Sequence, residues 1–148
     1  MKKVFNQIIA YGMWIVDLLL ALWFALLSRT ALLDILALFY KKGQWQYPRQ
    51  VNVVDKTFTL LLGLGWMALV VIVEEYFRTS IPKGVLLKRI ARVTGLLLLA
   101  IFGVDLILFW VQGIGSGDWL RWLLLAAELG IGTALLVWVK TRPTSQPQ

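Results

Sequence analysis

The sequence contains no cysteine and no histidine among its 148 residues. Without these side chains the chain cannot build a disulfide, a thiolate metal site or an iron–sulfur cluster. It also cannot supply the axial histidine of a b-type haem. We therefore expect the chain to hold no metal and no cofactor of its own, while contact with a lipid, a quinone or a pigment stays open.

Charged residues are scarce as well. They make up 16% of the chain, against about a quarter in soluble domains, while 59% of the residues are hydrophobic. A soluble domain of this size buries only about two-thirds of the surface that its unfolded chain exposes. Much apolar surface would therefore remain in water. The composition predicts an all-α integral membrane protein.

Four apolar runs approach or reach the length of about 20 residues that a helix needs to cross a bilayer. They cover about residues 8–27, 57–77, 93–112 and 119–139. The first run is too long for the apolar core of a signal peptide and carries Asp17, so we expect it to be retained. We predict a single membrane domain, a bundle of four transmembrane helices, followed by a polar tail at residues 140–148.

Residues 31–40 form a further apolar segment that is too short to span the bilayer. It could continue the first helix, re-enter the membrane or lie flat at the interface. Basic and aromatic residues follow it, which is typical of headgroup depth, and Pro48 is expected to stop a helix. We favour a short interfacial helix after the first span.

Five aromatic residues near the predicted membrane edges are predicted interface anchors, because their rings sit well between headgroups and acyl chains. They are Trp45, Tyr47, Trp119, Trp122 and Trp138.

The fifteen lysine and arginine residues cluster at the ends of the apolar runs. Four spans place both termini on one side, and that side collects nine of the fifteen basic residues. This distribution favours cytoplasmic termini in the cytoplasmic (inner) membrane of a bacterium. No basic stripe lies outside the membrane edges, so nucleic acid is not an expected partner.

Three carboxyl groups lie deep in the predicted spans: Asp17, Asp105 and Glu128. A charged side chain at the centre of a bilayer costs about 2.5–3.5 kcal/mol on insertion scales, so none should face lipid. An unpaired carboxylate in a low dielectric prefers to keep its proton. We expect at least one of the three to be neutral at pH 7.

Helical spacing aligns these groups with other polar residues. Arg121 and Glu128 share a face of the fourth span with Gly132, and Asp105 shares a face of the third with Thr94 and Gln112. Three interpretations stay open. The stripes hold helices together within the chain or against another subunit, or form a proton or cation path, or bind a polar headgroup such as that of a quinone.

No nucleophile elbow, phosphate-binding glycine loop or HExxH motif is present, and we predict no enzymatic activity. The leading hypothesis is a small accessory or anchor subunit of a larger bacterial membrane complex, for example one of electron transport. Its partners would be membrane lipids and other membrane subunits. The alternative is a small oligomeric proton- or cation-coupled transporter that uses Asp17, Asp105 or Glu128.

Overall fold

The computed structural model describes residues 2–39, 47–80, 85–112 and 119–141, and these residues form four α-helices. The helices are α1 (Lys2–Phe39), α2 (Tyr47–Arg78), α3 (Leu86–Gln112) and α4 (Trp119–Thr141). All four are long and apolar enough to cross a membrane. This finding confirms the coarse prediction of an all-helical protein suited to a membrane.

The first helix is longer than predicted. α1 runs without a break through Phe39, so residues 31–39 continue it and are not a separate interfacial helix. The polar residues at positions 28–30 do not interrupt the helix. Thr30 donates its hydroxyl hydrogen to the carbonyl oxygen of Leu26 in the same helix, and Arg29 pairs with another helix. With 38 residues, α1 is about 57 Å long, well beyond the ~30 Å of hydrocarbon.

The second and third helices also start earlier than the apolar runs. α2 begins at Tyr47 and includes Pro48, which was expected to stop a helix. Proline is tolerated in a first turn because its missing N–H has no partner there anyway. α3 begins at Leu86, seven residues before the predicted span. Polar and basic residues continue these helices beyond their apolar parts.

The helices pack in the order α2, α1, α3, α4, with a smaller contact between α2 and α3. α1 and α3 run parallel, and α2 and α4 run antiparallel to them. We call the side where α1 and α3 begin the terminal side, and the side where they end the opposite side. A buried cluster of Ala10, Val73, Phe77, Leu86 and Ile90 packs α1, α2 and α3 together on the terminal side.

Two glycines allow α3 and α4 to approach closely. A Cβ atom added at Gly95 would lie 3.2 Å from the carbonyl oxygen of Gly132 and equally close to the side chain of Leu136. A Cβ atom at Gly132 would meet Leu99 at the same distance. Small residues at the crossing of two membrane helices let their backbones approach closely.

Candidate functional site

Asp17 lies in the contact between α1 and α3 and is completely buried, with 0% of its surface exposed. Thr94 of α3 donates its hydroxyl hydrogen to Oδ1 of Asp17 at 2.7 Å. The other oxygen, Oδ2, has no hydrogen-bond partner among the described residues. Within the described ranges, Asp17 therefore has one polar partner, which is uncharged, and no salt bridge.

A second polar contact joins three helices near the opposite side. Gln112 of α3 donates to Oδ2 of Asp34 in α1 at 2.8 Å and accepts a hydrogen bond from Arg121 of α4 at 3.0 Å. Both bonds are exposed. The glutamine amide thus bridges an acid and a base that belong to different helices.

The carboxyl groups of Asp105 on α3 and Glu128 on α4 are neighbours, and Arg121 lies near enough for its charge to act on Asp105. Oε2 of Glu128 is buried and receives no hydrogen bond from the described residues. The pair lies about 10 Å along α3 from Gln112.

A common register relates the polar contacts between α1 and α3. Asp17 and Thr94 are 77 positions apart in the sequence, and the residues of the second bonded pair, Asp34 and Gln112, are 78 positions apart. The same separation puts Ser28 at the level of Asp105. The hydroxyl oxygen of Ser28 is buried and has no partner in the described part of the chain. Ser28, Asp105 and Glu128 thus mark one polar level, and the Asp17–Thr94 pair marks another.

These two levels are not joined by polar groups. They lie eleven residues apart on both α1 and α3, or about 16 Å along the helix axes. Ala21, Leu97 and Ile101 are buried between them, and Ile101 is only 2% exposed. The interior therefore holds two separate polar sites rather than one continuous line.

The contact between α1 and α2 contains an ion pair that the sequence analysis missed. Arg29 binds both oxygens of Asp55, at 2.7 and 2.8 Å. Two long hydrogen bonds of 3.4 Å accompany it, from Trp14 to the carbonyl oxygen of Val70 and from Trp66 to that of Leu18. Asp55 was missed because it precedes the second apolar run. The sequence does place Asp55 near the same predicted membrane edge as Arg29, and this shared depth could have suggested the ion pair.

Arg89 is a second missed residue. It donates to the carbonyl oxygen of Tyr76 at 2.7 Å and to the hydroxyl of Thr79 at 2.8 Å, and it lies 4.3 Å from the centre of the Tyr76 ring. The bond to Tyr76 satisfies one carbonyl group at the end of α2, where helical donors run out. The structure thus gives one member of the basic cluster before span three a role in helix termination.

The predicted anchors have different surroundings. Trp119 and Trp122 are exposed at the start of α4, where Trp122 makes an edge-to-face contact with Phe109. Trp138 is half-buried near the other end of α4. Tyr47 is the first residue of α2, and Trp45 lies outside the described residues.

Among the residues that the structure describes, no group of three or more acidic side chains could hold a metal ion. Comparisons with protein-family models, with curated proteins and with solved structures find no match.

Proposed function

We propose that this chain is a small accessory or anchor subunit of a larger bacterial membrane complex, for example one of electron transport, and that it acts by helix packing. The observation that carries this proposal is the open arrangement of the helices. Within the described residues, α4 packs on α3 alone and α2 packs mainly on α1. Each of these outer helices leaves most of its surface to the surroundings.

The outer face of α4 suits a close helix contact. Ala126, Gly130 and Ala134 follow one another at intervals of four, and all three are exposed. A Cβ atom added at Gly130 would meet nothing within 4 Å. In a bilayer, helices associate where small residues let the backbones approach, as Gly95 and Gly132 do inside this chain.

The polar groups contribute to this proposal in a different way from that expected from the sequence. Asp17, Gln112 and Arg121 have hydrogen-bond partners inside the chain, and Asp105 and Glu128 face each other. A partner subunit would therefore meet mainly apolar surface. Within the chain, these groups fix the register of the helices.

The test is purification of the tagged protein from its native membrane in a mild detergent, followed by sizing on a native gel and identification of co-purifying proteins. We expect stoichiometric partners that are integral membrane subunits. A substitution Gly130→Leu should release them without unfolding the chain, because the glycine faces open space. Gly12→Leu is a matched control, since Gly12 also faces open space but lies on α1. Migration of the unmodified protein as a lone monomer or small homo-oligomer would refute the proposal.

The alternative is a proton- or cation-coupled transporter, and one observation favours it. Asp17 is fully buried and retains an oxygen without a partner among the described residues, which is where a proton or a small cation could bind. The two functions differ in the effect of Asp17→Asn. In a transporter the variant should fold but lose transport, whereas in an accessory subunit the partners should stay bound, because Asp17 is buried inside the chain.

A further inference from the structure

A groove opens on the terminal side between α1 and α4, with α3 forming its floor. It exists because α1 and α4 do not pack on each other there. Its volume is about 410 Å³, within the ~300–1,000 Å³ that is usual for ligand sites. The lining is almost entirely apolar and includes Met13, Leu87, Ile90, Ala91, Leu135 and Trp138.

Thr94 brings the only hydroxyl group to this lining. Its hydrogen is donated to Oδ1 of Asp17, which is completely buried behind it. The Thr94 oxygen therefore presents lone pairs, and no hydrogen, to anything that enters the groove.

We propose that the groove binds an apolar ring that carries a hydroxyl donor, a phenol or hydroquinone, whose hydroxyl hydrogen bonds to Oγ1 of Thr94. The apolar walls select an apolar molecule, and Trp138 and Met13 are side chains that pack well against a flat ring. The oxidised quinone has only acceptors and finds no donor at Thr94. The hydrogen bond to Thr94 is therefore available to the reduced ring and not to the oxidised one.

The experiment compares two probes of the same shape, tetramethylhydroquinone and hexamethylbenzene, in which methyl groups replace both hydroxyls. Their dissociation constants are measured by equilibrium dialysis against the purified full chain in detergent micelles, under anaerobic conditions. The ratio of the two constants is compared between the natural protein and Thr94→Val. Because both proteins are measured in the same micelles, partition of the probes into detergent cancels from this comparison.

We expect the preference for the hydroquinone to fall by about three- to tenfold in Thr94→Val, which is the worth of one hydrogen bond. Thr94→Ser keeps the hydroxyl and should keep the preference. Thr133→Val should keep it too, since Thr133 bonds to its own helix and does not line the groove. An equal ratio in the natural protein and Thr94→Val, or no binding of either probe, would overturn the proposal.

A second variant locates the site independently of Thr94. Leu87 lies at the edge of the groove and is 61% exposed, so a larger side chain there need not disturb the interior. Leu87→Trp should weaken the binding of both probes at least tenfold while the protein keeps its size and helix content. Unchanged binding in this variant would show that the probes bind elsewhere.

Discussion

The close approach of α3 and α4 gives the sharpest prediction about stability, the effect of Gly95→Ala. The new methyl group would lie 3.2 Å from the backbone oxygen of Gly132 and from two carbon atoms of Leu136, closer than an ordinary contact. The Leu136 side chain can rotate, but the carbonyl of Gly132 moves only if the helices separate. Overpacking of this kind costs about 1–3 kcal/mol.

The substitution also removes a glycine from a helix, which by itself favours folding by about 0.5–1 kcal/mol. A matched control separates the two effects. Gly103 lies on the same helix, and a Cβ atom there would meet nothing within 4 Å. Gly103→Ala should therefore be neutral or slightly stabilising, and the difference between the two variants isolates the steric cost.

The assay is reversible unfolding in mixed micelles with increasing denaturing detergent, followed by tryptophan fluorescence and circular dichroism. We expect Gly95→Ala to unfold with a free energy about 1–3 kcal/mol below that of Gly103→Ala. Equal free energies of unfolding for the two variants would refute the close contact between α3 and α4.

Three further predictions concern the polar contacts. Thr94→Val should lower the free energy of unfolding by about 1–3 kcal/mol, since it removes the one hydrogen bond that the described residues make to the buried carboxyl group of Asp17, whereas Thr94→Ser should change it little; equal stability of the two variants in the same assay would contradict the Asp17–Thr94 contact. The absence of cysteine permits a clean cross-linking test, in which a short bifunctional thiol reagent should join Asp34→Cys to Gln112→Cys, since a hydrogen bond links these two side chains. The pair Leu36→Cys with Gln112→Cys should react much less, because Leu36 lies on the opposite face of α1; the reverse pattern on a gel would show that α1 does not continue beside α3. Glu128→Gln keeps a polar side chain beside Asp105 and should retain the stability of the natural protein, whereas Glu128→Leu should lose about 1–3 kcal/mol; a Gln variant as unstable as the Leu variant would show that a polar group at position 128 does not stabilise the fold.

The sequence by itself determined that the protein is all-helical and that four of its helices are long and apolar enough to cross a membrane. Hydrophobicity is a local property that adds up along the chain, so four long apolar runs specify four helices suited to a membrane whatever their packing. Helical spacing also identified Asp105, Gln112, Glu128 and Arg121 as members of polar stripes. This was feasible because the periodicity of a helix does not depend on its neighbours.

The ends of the helices could not be predicted from hydrophobicity. The end of α1 was misjudged because residues 28–30 are polar, and polarity marks the edge of an apolar run rather than the end of a helix. The hydrogen bonds of a helix join backbone groups, so a helix can continue beyond its apolar part through polar residues. Asp55 escaped notice for the same reason, since α2 begins ten residues before its apolar run.

The tertiary structure alone decided which polar groups meet. Asp17 accepts a hydrogen bond from Thr94, Arg29 pairs with Asp55, and Gln112 bridges Asp34 and Arg121. Each contact depends on the order of the helices and on their relative shift along the axis. These are set by packing between residues far apart in the chain, such as Gly95 against Gly132. The interior polar sites and the groove beside Thr94 follow from that packing.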